Sequence, residues 1–359
     1  MGKWDWVEGY EAIRQGATKG IVSASYTLNG LVQAGLIGPQ RASRFHAQTG
    51  LADFAWRMFW PKTAVKRRRY AEAMARARGF VVFMHGWDGS RTIWEQIPAL
   101  TCAANPRLVA LAPDVNGFGG SPFANELPPV EACDPAANMA AVERWIELLG
   151  LRSSRRATRR WRVITIVGHS MSGAALFYLD ESRYRPHEVA RLAIAPALLV
   201  KDALRKGFYK ALGIGIWAGS TADALGWLKA KLAPSIVNML IGSASRAVKT
   251  EHVRVFNATP KGVLAQTFFA MGAIPRAVKP RRWRHFQVVL GHNDRLVGVK
   301  PMMELLEELG FASDQVRVLL GDHYLFSVSN QSRRLHLRNR QIVVEQILAL
   351  YEACRQGMA

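Results

Sequence analysis

A chain of 359 residues, 49% apolar and 21% charged, can bury a sizeable core, which excludes a disordered or fibrous protein. The net charge of +21, carried more by arginine than by lysine, bears on partners and not on fold. It fits an anionic membrane surface, nucleic acid or a compositional bias, and the absence of zinc-finger and RNA-binding signatures speaks against specific nucleic-acid binding.

Cys102, Cys133 and Cys354 are widely spaced and form no C-x-x-C pair. Neither a disulfide framework nor a zinc site is suggested, and a reducing compartment is the default. Met1 to Trp6 lacks the apolar core of a signal peptide. The expectation is a cytoplasmic protein, with peripheral membrane association as an extension of it.

Residues 1–78 read as a helical N-terminal extension. Within it, Gly20 to Gln40 carries no charge. Its apolar residues are diluted by Ser23, Ser25, Thr27, Asn29 and Gln33, so a helix packed on the protein is favoured over an interfacial helix, and both over a membrane span. Phe54, Trp56, Phe59 and Trp60 precede Lys66-Arg67-Arg68-Arg69. A buried aromatic face beside a solvated charged turn is the simpler reading; a headgroup anchor is the alternative.

From residue 79 the pattern changes. Phe80-Val81-Val82-Phe83-Met84 is a continuous apolar run, the mark of a strand buried on both faces. Thr92 to Leu100 suits a helix, and Leu108 to Pro113 a second strand. Asp134-Pro135 is a helix start, because aspartate can cap and proline fits the first turn. That helix carries Met139, Val142, Trp145, Ile146 and Leu149 on one face and ends at Gly150. Arg152 to Arg160 is a basic surface connection, and a strand begins near Trp161 and runs to Gly168. Ser170 follows, and then the helix-competent Ala174 to Leu179.

Val189 to Ala195 is the next strand signal. Alternating strands and helices predict βαβ units and a mostly parallel sheet. Residues 198–282 break the alternation and read as a helical cap inserted between core segments 79–197 and 283–359. Strand signals resume at Phe286 to Leu290 and Val316 to Leu320, with helices over Pro301 to Leu309 and around Ile342 to Tyr351.

The strongest single stretch is Gly168-His169-Ser170-Met171-Ser172-Gly173, where a β-branched run turns sharply into a helix. It is close to the G-x-S-x-G nucleophile elbow, with Ser172 at the fifth position and Gly173 one step later. Four other pieces stand in order around it, each at the end of a predicted strand or loop. They are His85-Gly86, the Asp114-x-x-Gly117-Phe118-Gly119-x-Ser121 loop, Asp294 and His323. Together these motifs resemble the α/β-hydrolase superfamily, in its serine-nucleophile, esterase- and lipase-like branch, over residues from about 80 to the C-terminus except the insertion. The resemblance implies an α/β-hydrolase fold: a mostly parallel sheet flanked by helices, here with a helical cap and an extra helical N-terminal segment.

It also implies roles. A serine hydroxyl needs a base to take its proton. His323 is the candidate base, and Asp294 the carboxylate that orients it, in the chain order Ser170, Asp294, His323. The backbone N–H groups of Trp87 and Met171 are the candidate oxyanion donors. Asp202 is the spare acid and His292 the poorer rival base. His85 is expected to orient its loop, His169 to help hold the elbow, and Asp114 to Ser121 to shape the chain. Serine in place of aspartate at the elbow argues against epoxide opening and halide displacement. Expected is hydrolysis of a carboxylic ester with a lipophilic acyl group through an acyl-enzyme, with no cofactor and no metal. Acyl transfer by the same triad, or a non-catalytic membrane-binding scaffold, are the alternatives. Oligomeric state is left open by the sequence.

Overall fold

The computed structural model describes residues 20–62, 70–152, 162–198, 203–218, 226–241, 244–273, 278, 283–327 and 333–358. Met1 to Trp6, Lys66 to Arg69, residues 153–161 and Asp202 lie outside the described residues.

The apolar runs become strands of one eight-stranded sheet: β1 (Ile21–Thr27), β2 (Ala55–Pro61), β3 (Gly79–Met84), β4 (Leu108–Pro113), β5 (Val163–His169), β6 (Val189–Ile194), β7 (Phe286–Gly291) and β8 (Val316–Leu319). Their spatial order is β1-β2-β4-β3-β5-β6-β7-β8. From β4 to β8 every pairing is parallel, whereas β2 runs antiparallel to β4 and β1 antiparallel to β2.

Alternation along β3 shows how both faces are filled. Phe80, Val82 and Met84 join one cluster with Trp145, Ile146 and Met302, while Val81 and Phe83 join another with Ile97, Leu100, Ile347 and Tyr351. Among the described residues the helices are α1 (Leu28–Gln33), α2 (Pro39–Thr49), α3 (Tyr70–Arg76), α4 (Ile97–Ala104), α5 (Pro135–Leu148), α6 (Met171–Ala175), α7 (Ala203–Ala218), α8 (Gly226–Ile241), α9 (Arg246–Ala258), α10 (Lys261–Gly272), α11 (Val299–Glu308) and α12 (Arg333–Gly357). Asp134 caps α5 as its chemistry suggests, accepting the Ala137 N–H at 2.8 Å. The helix expected over Thr92 to Leu100 is split: a 3₁₀ turn at Arg91–Trp94 precedes α4, with Glu95 between them at a φ of 47°.

The N-terminal segment departs from the all-helical expectation. Its described residues hold three helices, but Ile21–Thr27 and Ala55–Pro61 are strands that extend the sheet. The reason is non-local: a Val/Ile/Ser/Tyr/Thr run takes the extended form once a sheet edge offers it partners. The uncharged stretch is therefore an edge strand followed by α1, which Thr27 caps by accepting the Gly30 N–H at 3.0 Å. The aromatic cluster is buried. Phe54 and Trp56 pack on Trp145 with ring centroids 5.2 and 5.4 Å apart, and Phe59 and Trp60 are also buried, so none is free to anchor at a headgroup interface. Among the described residues no helix is long and apolar enough to cross a membrane.

Helices α7 to α10 occupy the predicted insertion. Helix α7 packs on α10, and α8 on α9.

Candidate active site

Strand register assembles the site. Met84 pairs with Gly168 and His169 with Ile194, so the loops leaving β3, β5 and β6 emerge side by side. The turn after β5 places Ser170 at φ 54°, ψ −118°, a conformation that costs a non-glycine residue about 1–3 kcal/mol and persists only when the surroundings enforce it. The enforcement is visible in the backbone. The Ser170 N–H donates to the Ile194 carbonyl at 3.0 Å, and the Ser170 carbonyl accepts from Ala174 and Ala197, each at 2.9 Å.

Small residues are needed on both sides of this turn. A Cβ on Gly168 would meet the Ser172 carbonyl at 2.3 Å, and one on Gly173 would meet Pro196 at 3.0 Å. Ser172 itself is accommodated because its hydroxyl has partners: it donates to the His85 carbonyl and accepts from Asn138 Nδ2 at 3.0 Å. The departure from glycine is thus a buried, satisfied hydroxyl that ties the elbow to the neighbouring loop and to α5.

His323 and Asp294 meet across the ends of β8 and β7. His323 Nδ1 lies 2.8 Å from Asp294 Oδ2, and both residues are buried. Asp294 Oδ1 accepts the N–H groups of Leu296 at 2.9 Å and Val297 at 3.1 Å. Burial alone pushes this carboxyl up, but attraction to His323 and the hydrogen bonds from His323, Val297 and Leu296 outweigh it, and its pKa lies below the ordinary carboxylate value. An ionised Asp294 accepts Nδ1–H, which leaves Nε2 of a neutral His323 as an acceptor. His292, in contrast, is exposed.

The His323 loop is fastened to the elbow by the residue before the serine. His169 Nε2 is 2.9 Å from the His323 carbonyl, and the two rings lie 4.9 Å apart. Burial first, and then the neighbouring His323, holds the His169 pKa well below its ordinary value, so a neutral imidazole donates to that carbonyl. The expectation that His169 holds the elbow gains a specific contact.

On the opposite side, a Cβ on Gly86 would stand 2.8 Å from Ser170 Cβ. Only glycine lets this backbone run so close to the serine, and Trp87 is the next residue. Met171 is the first residue of α6, where an N–H has no acceptor within the helix. His85 is committed elsewhere: Nε2 accepts the Val115 N–H at 2.9 Å, and Nδ1–H donates to the Gly86 carbonyl at 2.7 Å. Burial lowers its pKa, in keeping with that neutral, loop-orienting state. Asp114 accepts from the N–H groups of Arg91 and Gly120, each at 2.7 Å, and pairs with the Arg91 guanidinium, while Ser121 Oγ accepts the Ala55 N–H. That loop shapes the chain.

The two residues named as candidate oxyanion donors lie in apolar surroundings. Phe118, Met171, Val255, Phe256 and Leu264 form a buried cluster against which Trp87 packs. Trp87 also packs at a tilt on Phe268, centroids 4.8 Å apart, and its Nε1–H donates to Thr267 Oγ1 of α10 at 3.0 Å.

Sequence reasoning missed His252 on α9 and its partner Tyr324, whose hydroxyl lies 2.9 Å from His252 Nε2. Tyr324 could be suspected from its place beside His323. Nothing in residue spacing singles out a lone histidine in a helix between β6 and β7.

Residues 81–333 match the profile described as "Alpha/beta hydrolase family". Among solved structures, the chain is similar to a thermophilic esterase from Thermogutta terrifontis at 16% identity and a TM-score of 0.51, covering 76% of this chain and 90% of that one. It is similar to the esterase EaEST from Exiguobacterium antarcticum at 13% identity and a TM-score of 0.53, covering 77% and 92%. It is also similar to the epoxide hydrolase CorEH at 14% identity and a TM-score of 0.54, covering 93% and 99%. At these identities the likeness concerns the fold. A search of curated proteins returns no match.

Proposed function

The chain belongs to the α/β-hydrolase family, and on that premise we propose that it is a serine hydrolase cleaving carboxylic esters with a lipophilic acyl group. Ser170 Oγ attacks the acyl carbon while its proton passes to His323 Nε2. Asp294 holds His323 in the required tautomer and stabilises the imidazolium. The N–H groups of Met171 and Trp87 receive the oxyanion, a contribution of about 2.7–4 kcal/mol for each such donor in comparable sites. The alcohol leaves with the proton from His323. Water, deprotonated by the same imidazole, then releases the acid from the acyl-enzyme.

The observation that carries this reading is the buried His323–Asp294 pair at 2.8 Å, in a loop bonded to the residue before a strained serine. The lipophilic substrate class is supported by the apolar cluster of Phe118, Phe256 and Leu264 that takes in Trp87 and Met171, the neighbour of that serine. The serine at the elbow favours ester chemistry over the epoxide opening named for one structural neighbour.

The test is turnover of p-nitrophenyl esters over a series of acyl lengths, wild type against Ser170→Ala. The reading expects kcat/KM to rise with acyl length and Ser170→Ala to lose activity by more than about 1,000-fold. Equal, slow rates for both proteins at every length would contradict it.

A further inference from the structure

The cap contributes one imidazole that is polar, buried and bonded toward two different loops of the reaction centre. His252 projects from α9, 1% exposed. Its Nε2 accepts the Tyr324 hydroxyl at 2.9 Å, which leaves Nδ1 to carry the proton. Nδ1 faces Asp88, 3.8 Å from Asp88 Oδ2, and the Asp88 backbone hydrogen-bonds the ring. Asp88 directly follows Trp87 and holds a φ of 52°, and Tyr324 directly follows His323. The Tyr324 ring packs on His169 and His323, with centroids 4.6 and 5.6 Å away.

We propose that His252 is a positioning residue through which the cap fixes the oxyanion loop at Trp87–Asp88 and the base loop at His323–Tyr324 relative to each other. The proposal rests on the serine-hydrolase reading for its kinetic consequence, but not for its geometry.

Three features favour this role over plain packing. A buried imidazole costs stability unless its nitrogens are partnered, and here one partner lies in each loop. The rest of α9 is docked in the same sense. The Ser245 N–H donates to Ser327 Oγ and its hydroxyl to Glu95, each at 3.1 Å, while Glu251 accepts from Ser90 Oγ at 2.6 Å. The helix is therefore registered against the segments that follow both loops, and His252 is the residue next to Glu251 in that contact. The pair also keeps its charge state. Burial first, then His85, holds the His252 pKa down to about 3, against opposing pulls from the Asp88 backbone and Glu251, with His323 adding to the fall. Burial, and then Asp88, pushes the Tyr324 phenol up. A neutral O–H to Nε2 bond thus persists while His323 turns over.

Three variants separate the contacts. His252→Leu removes both, His252→Gln restores an acceptor near Nε2, and His252→Asn restores a donor near Nδ1. With p-nitrophenyl esters, His252→Leu is expected to lower kcat by about 10- to 100-fold with KM changed less than about threefold, since positioning acts on the transition state. The Gln and Asn variants should each recover part of the loss. A folded His252→Leu protein with wild-type kcat, or with KM raised and kcat unchanged, overturns the proposal. If His252→Leu does not fold, Tyr324→Phe removes one hydrogen bond without a cavity. It is expected to lower kcat by about 3- to 10-fold, and an unchanged kcat overturns the proposal.

Hydrogen exchange of the full chain provides an arm independent of ester chemistry. His252→Leu, or Tyr324→Phe where that protein alone folds, should speed exchange in peptides covering 85–90 and 320–327. Faster exchange confined to α9 would overturn the proposal. A wild type without esterase activity would defeat the hydrolase reading alone, and the exchange result would still decide the clamp.

Discussion

Two buried carboxylates, one at the end of β7 and one on α5, are both pushed up by desolvation and reach opposite states. Asp294 accepts from two backbone N–H groups and faces His323, and it is held below the ordinary carboxylate range although burial pushes it up. Glu143 accepts one long bond, from the Asp180 N–H at 3.3 Å, and burial pushes it up to about 7 against the attraction of Arg183. Burial sets the direction of drift; the donors present decide whether a charge is kept. A carboxylate that must orient a histidine needs the first environment. The second leaves a proton on an acid that has no part in the proposed reaction.

The contrast has opposite consequences for stability. The folded-state pKa of Asp294 is depressed, so its contribution is present above its ordinary value of 3.8 and is lost as pH falls through the folded value. That of Glu143 is raised, so its contribution is complete below its ordinary value of 4.5 and is lost as pH rises through about 7.

The largest expected effect is at Asp294. Asp294→Asn keeps the shape but favours the wrong His323 tautomer, and kcat should fall by about 10,000-fold in a stopped-flow or endpoint ester assay. A loss under tenfold would mean that the two carboxylates do not differ in role. Next is Glu143→Gln, which removes the cost of ionising a buried acid. The change from 4.5 to about 7 corresponds to roughly 3 kcal/mol at most. Melting curves should show the variant more stable than wild type at pH 8, level with it at pH 4.5, and unchanged in kcat. An identical pH dependence of Tm would break the comparison from the Glu143 side. The smallest effect is at Arg183, whose cation lowers the Glu143 pKa from an exposed position. Arg183→Ala should move the midpoint of the wild-type stability loss upward by a few tenths of a pH value, and a downward shift would contradict the account.

How far the sequence can be read depends on whether the contacts are local. Strands β3 and β4 are continuous apolar runs and β5 to β8 are mostly apolar ones, and the candidate residues Ser170, Asp294 and His323 follow the ends of β5, β7 and β8, so the candidate site could be marked in the amino-acid sequence. Strands β1 and β2 are not, because a mixed run such as Ile21–Thr27 becomes a strand only by pairing with a segment more than 25 residues away. Asp134 is legible as a cap because its partner is three residues on. Ser172 is legible only as an irregularity, since its partners are Asn138 and the His85 carbonyl. The bond from Tyr324 to His252 spans 72 residues and joins the loop after β8 to α9, and no periodicity records it.

The central claim is that Ser170 is the nucleophile. Its most direct test is to treat the full chain with a fluorophosphonate and map the adduct by peptide mass spectrometry. The account predicts one adduct, on Ser170, abolished in Ser170→Ala and formed far more slowly in His323→Ala. An unlabelled Ser170 in a protein that still hydrolyses esters, or an adduct elsewhere that abolishes turnover, would contradict it.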